Sequence, residues 1–178
     1  MNLFFRRLWV FLRAQLSSKN GVFTNVFSLN FRVWLTDQDT FLHLTNSRYL
    51  SFSDLGRMNM LIRTGIWGLL RDEGWELVVC SQTRTIARML KSPQTFEMAC
   101  QITGWTDDYL AICHRFQRGE KIHAEVNTLM TVQASDGTPV PIPVFLAALK
   151  VSDPSPELTS VFADLVERAR NSKLEVAG

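Results

Sequence analysis

A chain of 178 residues, 46% apolar and 20% charged, suits one domain able to bury most of its apolar surface. A net charge of +2 with both signs interspersed excludes the basic stripe of a dedicated nucleic-acid binder. No run approaches the roughly 18 to 20 apolar residues of a spanning helix, and Cys80, Cys100 and Cys113, far apart and without a C-x-x-C pair, indicate neither a zinc site nor a disulfide framework. Three thiols of this kind fit a reducing cytoplasm.

Residues 3–16 are dense in aromatics and arginine. Arg6, Arg7 and Arg13 interrupt the apolar run, so the segment is no signal peptide. On a helical wheel Arg6 and Arg13 share one side, with Arg7 nearby, while Leu3 and Val10 intrude on it. Two readings stand: a helix packed on the domain or on a sister subunit, or an amphipathic helix on an anionic membrane surface with its arginines at the headgroups. Lys19-Asn20-Gly21 then breaks the pattern. From Val26 to Thr36, Phe27, Leu29, Phe31, Val33 and Leu35 alternate with polar neighbours and Trp34, predicting a long strand with one core face. Thr45-Asn46-Ser47 offers three helix caps in a row. Tyr49, Phe52, Leu55, Met58, Ile62 and Ile66 follow at spacings of three and four, predicting a helix of about five turns. Gly65 and Gly68 end or bend it, with a short turn before Gly74.

The next sixty residues read as antiparallel strands, at Trp75–Leu90, around Phe96–Ile102, at Tyr109–Arg118 and at Lys121–Ala134. Pro139, Pro141 and Pro143 forbid a central strand, and a final helix is expected over Glu157–Asn171. The order helix, strand, long helix, four strands, helix predicts an α+β layer structure with the sheet wrapped around the long helix. Homodimers joining two sheets edge to edge would cover the open edges. The expected organisation is an N-terminal helical extension over residues 1–20, one domain over 21–150, and a C-terminal helix and tail over 151–178.

The densest polar constellation is Asp37-Gln38-Asp39-Thr40-Phe41-Leu42-His43-Leu44-Thr45-Asn46, just before the long helix. The first turn of a helix carries unpaired N–H groups and the positive end of the dipole, so it can stabilise an oxyanion on a carbonyl. A nearby carboxylate can act as nucleophile or activate water. The same residue types also serve plain helix capping, and the pattern alone leaves both open.

The run Asp37-x-Asp39-x-x-x-His43-x-x-Asn46-x-x-Tyr49-x-x-x-x-Asp54-x-x-Arg57 resembles the signature of the 4-hydroxybenzoyl-CoA thioesterase-like branch of the hotdog-fold superfamily, over roughly residues 26–135. It departs at Thr45, where many relatives carry asparagine, at Asp54, where they carry glutamate, and at Leu42, where glycine is frequent. The resemblance implies a hotdog fold, an α+β sheet around a central helix, and acyl-CoA thioesterase activity in lipid metabolism. It makes Asp39 the catalytic carboxylate and places the oxyanion donor at the backbone N–H near Asn46, whose side chain positions water or the carboxylate, or caps the helix. His43 orders the loop or contacts substrate, Thr45 sits at the substrate end, and Tyr49 holds loop and pocket together. Met58, first of all a core residue, would also line an acyl tunnel in a hotdog dimer.

Asp37 reads as a loop-fixing acceptor, and Asp54–Arg57 as a local helix pair. Arg84, Arg88 and Lys91 can reach the phosphates of coenzyme A. His114 reads as a hydrogen-bonded core histidine, and His123, alternating with polar positions, as solvated. No metal and no bound cofactor is implied; the expected partners are an acyl-CoA or acyl-carrier thioester and a second copy in a dimer or tetramer. The rival expectation is a non-catalytic acyl-binding or membrane-surface protein on the same scaffold, held peripherally by residues 1–20.

Overall fold

The structure, a computed structural model, describes residues 3–17 and 22–176; the Lys19-Asn20-Gly21 break lies outside them. In chain order it contains α1 (Leu3–Leu16), β1 (Phe27–Arg32), α2 (Asn46–Arg63), α3 (Ile66–Glu73), β2 (Trp75–Ile86), β3 (Thr95–Trp105), β4 (Leu110–Arg118), β5 (Lys121–Ala134), β6 (Pro139–Val140), α4 (Ile142–Ala148) and α5 (Ser160–Val176). The strands form one sheet in the order β1-β3-β4-β5-β2, with β6 beside β5. It is the α+β architecture expected, an antiparallel sheet with a helix packed on it.

By contact density the chain divides into two compact units. The first comprises residues 1–64, 84–101 and 114–126. Here β1 pairs antiparallel with β3, from Phe27 opposite Cys100 to Arg32 opposite Thr95. The period-two pattern works as read: Phe27, Leu29 and Phe31 are buried and their neighbours exposed. Their face meets α2 through a run of rings. Phe31 lies 4.9 Å from Phe52, Phe52 5.2 Å from Phe96, and Phe96 5.6 Å from Phe116. Helix α1 packs on α2 by a stripe of Arg6, Val10 and Ala14, four residues apart.

The second unit comprises residues 65–83, 102–113 and 127–178. Tyr109, Ala111 and Cys113, alternate residues of β4, join Leu129 beneath Phe162, Leu165, Val166 and Ala169 of α5. Helix α5 thus covers the face of β4 opposite Leu110 and Ile112, and both faces of the strand are buried from Leu110 to His114.

Several local expectations change. Strand β2 stops at Ile86 rather than Leu90, whose N–H and C=O go to Tyr49 and Leu44 instead, and the final helix runs over Ser160–Val176 rather than Glu157–Asn171. Strand β1 stops at Arg32 rather than Thr36, because Leu35–Asp37 closes a 3-10 turn in which Asp37 N–H donates to Trp34 C=O; Leu35 ends exposed. Beyond Gly65, at φ +82°, the chain forms the two-turn helix α3 instead of a short turn. Residues 142–148, read only as proline-broken, form α4 with Pro141 at its start and Pro143 within its first turn. His123 is buried rather than solvated, and Ala87 and Arg88 both donate N–H groups to its carbonyl.

Candidate functional site

The site grows from the chain between β1 and α2, all within the first unit. Asp39 anchors a tight turn. Its Oδ1 accepts the Phe41 N–H at 2.9 Å and the His43 N–H at 3.1 Å, while its own N–H donates to His43 C=O at 2.8 Å. Closing the turn puts Leu42 at φ +60°, the left-handed region that favours glycine. The Gln38 amide donates to Leu42 C=O and supports the turn from the other side. The Asp39 carboxylate is half-buried, and among the described residues no hydrogen bond falls on its Oδ2. One oxygen is thus fixed by two backbone donors, and the other is left to meet water or a substrate.

Asp37 has a different setting. It is fully buried, and its carboxylate accepts the Trp34 N–H at 2.9 Å. Arg6 of α1 grips both oxygens, Nη1 to Oδ1 at 3.1 Å and Nη2 to Oδ2 at 2.6 Å, and Arg48 Nε lies 3.4 Å from Oδ1. Its backbone carbonyl accepts both the Thr45 N–H at 2.9 Å and the Thr45 hydroxyl at 3.1 Å. That second bond decides the helix start. Thr45 stands at the N-cap of α2, but its hydroxyl is committed to Asp37 and caps nothing. The first-turn N–H groups at Asn46 and Ser47 are left without a side-chain acceptor, at the positive end of an 18-residue helix.

Further bonds fix this start in place. Arg84 Nη1 donates to Asn46 C=O at 2.8 Å, which sets a cation beside the first turn. Leu44 N–H donates to Leu90 C=O at 2.7 Å, and Leu90 N–H donates to the Tyr49 hydroxyl at 3.3 Å. Tyr49 is fully buried, edge-on to Phe116 at 5.2 Å, and burial raises its phenol above the ordinary value. Its hydroxyl is therefore committed to holding Leu90, and Leu90 holds the loop.

The structure brings Asp39, His43, Thr45, Asn46, Tyr49 and Arg84 into one hydrogen-bonded neighbourhood. Met58 is buried further along α2. Arg88 is joined through its N–H to His123 C=O, and burial, then the charges of Arg118 and Arg88, lower the His123 pKa. His123 lines a separate cleft of about 1030 Å³, with Arg32, Glu97, Arg118, Glu120 and Lys121 around it. Asp54 and Arg57 form their helix pair at 2.6 Å. His114 is fully buried, its Nδ1–H donating to Val126 C=O at 3.2 Å, and burial with the nearby Arg57 charge pushes it down to about 3.

Sequence reasoning missed the clamp of Arg6 and Arg48 on Asp37. The available signal was the spacing of Arg6 with Val10 and Ala14, which marks an arginine on a packing face. Nothing local in the sequence marked Leu90 as a clip.

The thioesterase-like superfamily profile matches residues 33–149. Protein THEM6 of Danio rerio is 28% identical over 151 residues, covering 85% of this chain and 75% of that protein. Protein THEM6 of Xenopus laevis is 30% identical over 80 residues, covering 45% of this chain and 39% of that one. Among solved structures, the probable thioesterase YbaW from Escherichia coli aligns with a TM-score of 0.65 at 12% identity, over 69% of this chain and 96% of its own. A Staphylococcus aureus protein solved in complex with CoA aligns with a TM-score of 0.61 at 14% identity, over 79% and 92%. At these identities the structural likeness is one of fold.

Proposed function

The chain belongs to the thioesterase-like superfamily, and on that premise we propose that it is a thioester hydrolase whose substrate is an acyl-CoA. The supporting observation is the Asp39 turn: a half-buried carboxylate fixed at one oxygen by two backbone N–H groups, on the loop that leads into an uncapped helix start. In the proposed reaction Asp39 either attacks the thioester carbonyl or takes a proton from the attacking water. The N–H near Asn46 receives the oxyanion. By the water route, collapse of the tetrahedral species breaks the C–S bond, the proton taken up by Asp39 passes to the departing thiolate, and the free acid and carrier thiol leave. By the nucleophilic route, collapse expels the thiolate and leaves an acyl–Asp39 anhydride, which water hydrolyses to the free acid. Arg84, held at Asn46 C=O, and Arg88 offer cations for the phosphates of coenzyme A. Met58 belongs to the apolar side that receives the acyl chain.

The proposed assembly is a homodimer or a pair of dimers. It is favoured by β2, a twelve-residue edge strand at the end of the sheet order, most of whose residues retain exposure. The experiment is hydrolysis of a panel of acyl-CoAs by the wild type and by Asp39→Asn. Loss of a carboxylate acting as base or nucleophile is expected to cost at least about 10²-fold in kcat. Equal rates from both proteins would remove Asp39 from the mechanism, and no turnover of any thioester by the wild type would leave a binding protein on this scaffold.

A further inference from the structure

Helix α1 is turned opposite to the expectation for a charged outer face. Arg6, Val10 and Ala14 face inward, and Arg6 stacks over the Phe52 ring at 4.8 Å. The outward face is apolar: Phe4, Phe5, Leu8, Leu12 and Leu16 are between 46% and 89% exposed. Only Gln15 interrupts them. At 3.6 residues per turn, Arg7 and Arg13 fall on opposite flanks of this stripe, each about 120° from its centre. Both are exposed, and Arg13 lies over the Trp9 ring at 5.2 Å, so that flank also carries an indole. The helix contains no acidic residue.

We propose that this face of α1 lies on an anionic lipid bilayer, parallel to the membrane plane, with Arg7 and Arg13 at the phosphates and the apolar stripe among the upper acyl chains. Three physical points select this occupant. An exposed run of large apolar side chains on one helix is costly in water and calls for a cover. Cations and an indole at the borders of an apolar stripe match the headgroup layer, where long side chains carry their charge outward while burying their stems. A second copy presenting the same face would set arginine flanks against arginine flanks, a like-charge arrangement that opposes association. At 14 residues α1 is about 21 Å long, short of the hydrocarbon thickness. Among the described residues no helix is long and apolar enough to cross a membrane. The geometry is therefore that of a helix lying along the surface.

The test is co-sedimentation of the full chain with vesicles of equal parts phosphatidylglycerol and phosphatidylcholine, beside vesicles of phosphatidylcholine alone. The wild type should pellet with the anionic vesicles, several-fold less with the neutral ones, and less as salt is raised. The double variant Leu8→Glu/Leu12→Glu should lose at least tenfold in partitioning while keeping its thermal midpoint, because both side chains are solvent-exposed. A second variant, Arg7→Ser/Arg13→Ser, should erase the preference for anionic vesicles. A wild type that stays in the supernatant would overturn the proposal, as would Glu variants that pellet unchanged. Light scattering on both proteins completes the test: a dimer broken by Leu8→Glu/Leu12→Glu, with vesicle partitioning unmoved, would assign the face to a second copy instead.

Discussion

Arg6 and Asp37, 31 residues apart in the chain, meet in a buried two-pronged ion pair with both side chains almost wholly removed from water. The pair joins α1 to the loop that carries Asp39, because the Asp37 carbonyl holds both the N–H and the hydroxyl of Thr45. Replacing Arg6 by Met leaves a buried carboxylate with Arg48 as its remaining cation beside the Trp34 N–H, and should cost about 3–5 kcal/mol of stability. Arg6→Lys, which keeps the charge but loses the planar fork, should fall between. The double variant Arg6→Met/Asp37→Leu should recover much of the loss. Urea unfolding of the wild type, Arg6→Met, Asp37→Leu and the double variant measures the cycle, and additive losses would show that the two residues act independently.

Leu42 sits at φ +60° with its side chain in solvent. A left-handed conformation costs a branched residue roughly 1–2 kcal/mol, whereas glycine adopts it freely but loses more entropy on folding. Leu42→Gly should therefore stabilise the fold by about 0.5–1 kcal/mol, read as a higher urea midpoint at unchanged slope. A lower midpoint would mean that the turn is not strained.

Gly56 of α2 makes the close approach to β3. A Cβ there would meet Cε of Met98, and Sδ of the same residue at 2.6 Å, and Met98 is fully buried. Alanine improves helix propensity by about 1 kcal/mol, but the clash should cost about 1–3 kcal/mol. Gly56→Ala is expected to destabilise on balance, and shortening the neighbour in Gly56→Ala/Met98→Val should return part of the loss. A more stable Gly56→Ala would show that Met98 repacks without cost.

His114 gives the protein an acid-sensitive core. Its pKa is about 3 when folded against an ordinary value of 6.5, so the unfolded chain binds the extra proton between those values. The contribution to stability is complete above about pH 6.5 and declines as pH falls, reaching a loss of about 2 kcal/mol near pH 5. Burial lowers His123 in the same direction. His114→Asn keeps an N–H for the Val126 carbonyl and cannot titrate. Its unfolding free energy should depend less steeply on pH between about 5 and 7.5, and identical slopes would remove His114 as the source.

Much of this molecule is legible in local pattern. The alternation in β1, the three-and-four spacing of α2 and the bounds of β5 (Lys121–Ala134) are consequences of side-chain period, which any core face imposes on its own strand or helix. The position of Asp39 before a helix start follows from residue order alone. The end of β1 did not, because Trp34 leaves the sheet when a carboxylate three residues later accepts its N–H. Helix α4 was hidden by its prolines, which break a helix interior but suit a first turn.

The sequence by itself determined most of the strands, the long helix, the polar loop and the types of group available for chemistry, since these depend on neighbours within a few residues. Tertiary structure alone decided which groups remain available. Arg6 is consumed inside by Asp37, Thr45 gives its hydroxyl to a carbonyl rather than to the helix, Tyr49 holds Leu90, and the aromatic side of α1 is left outward. Each outcome pairs residues between 8 and 41 positions apart or depends on which face of a helix finds a buried partner. Burial makes such pairing obligatory for a charge or a hydroxyl, and no local pattern encodes the partner.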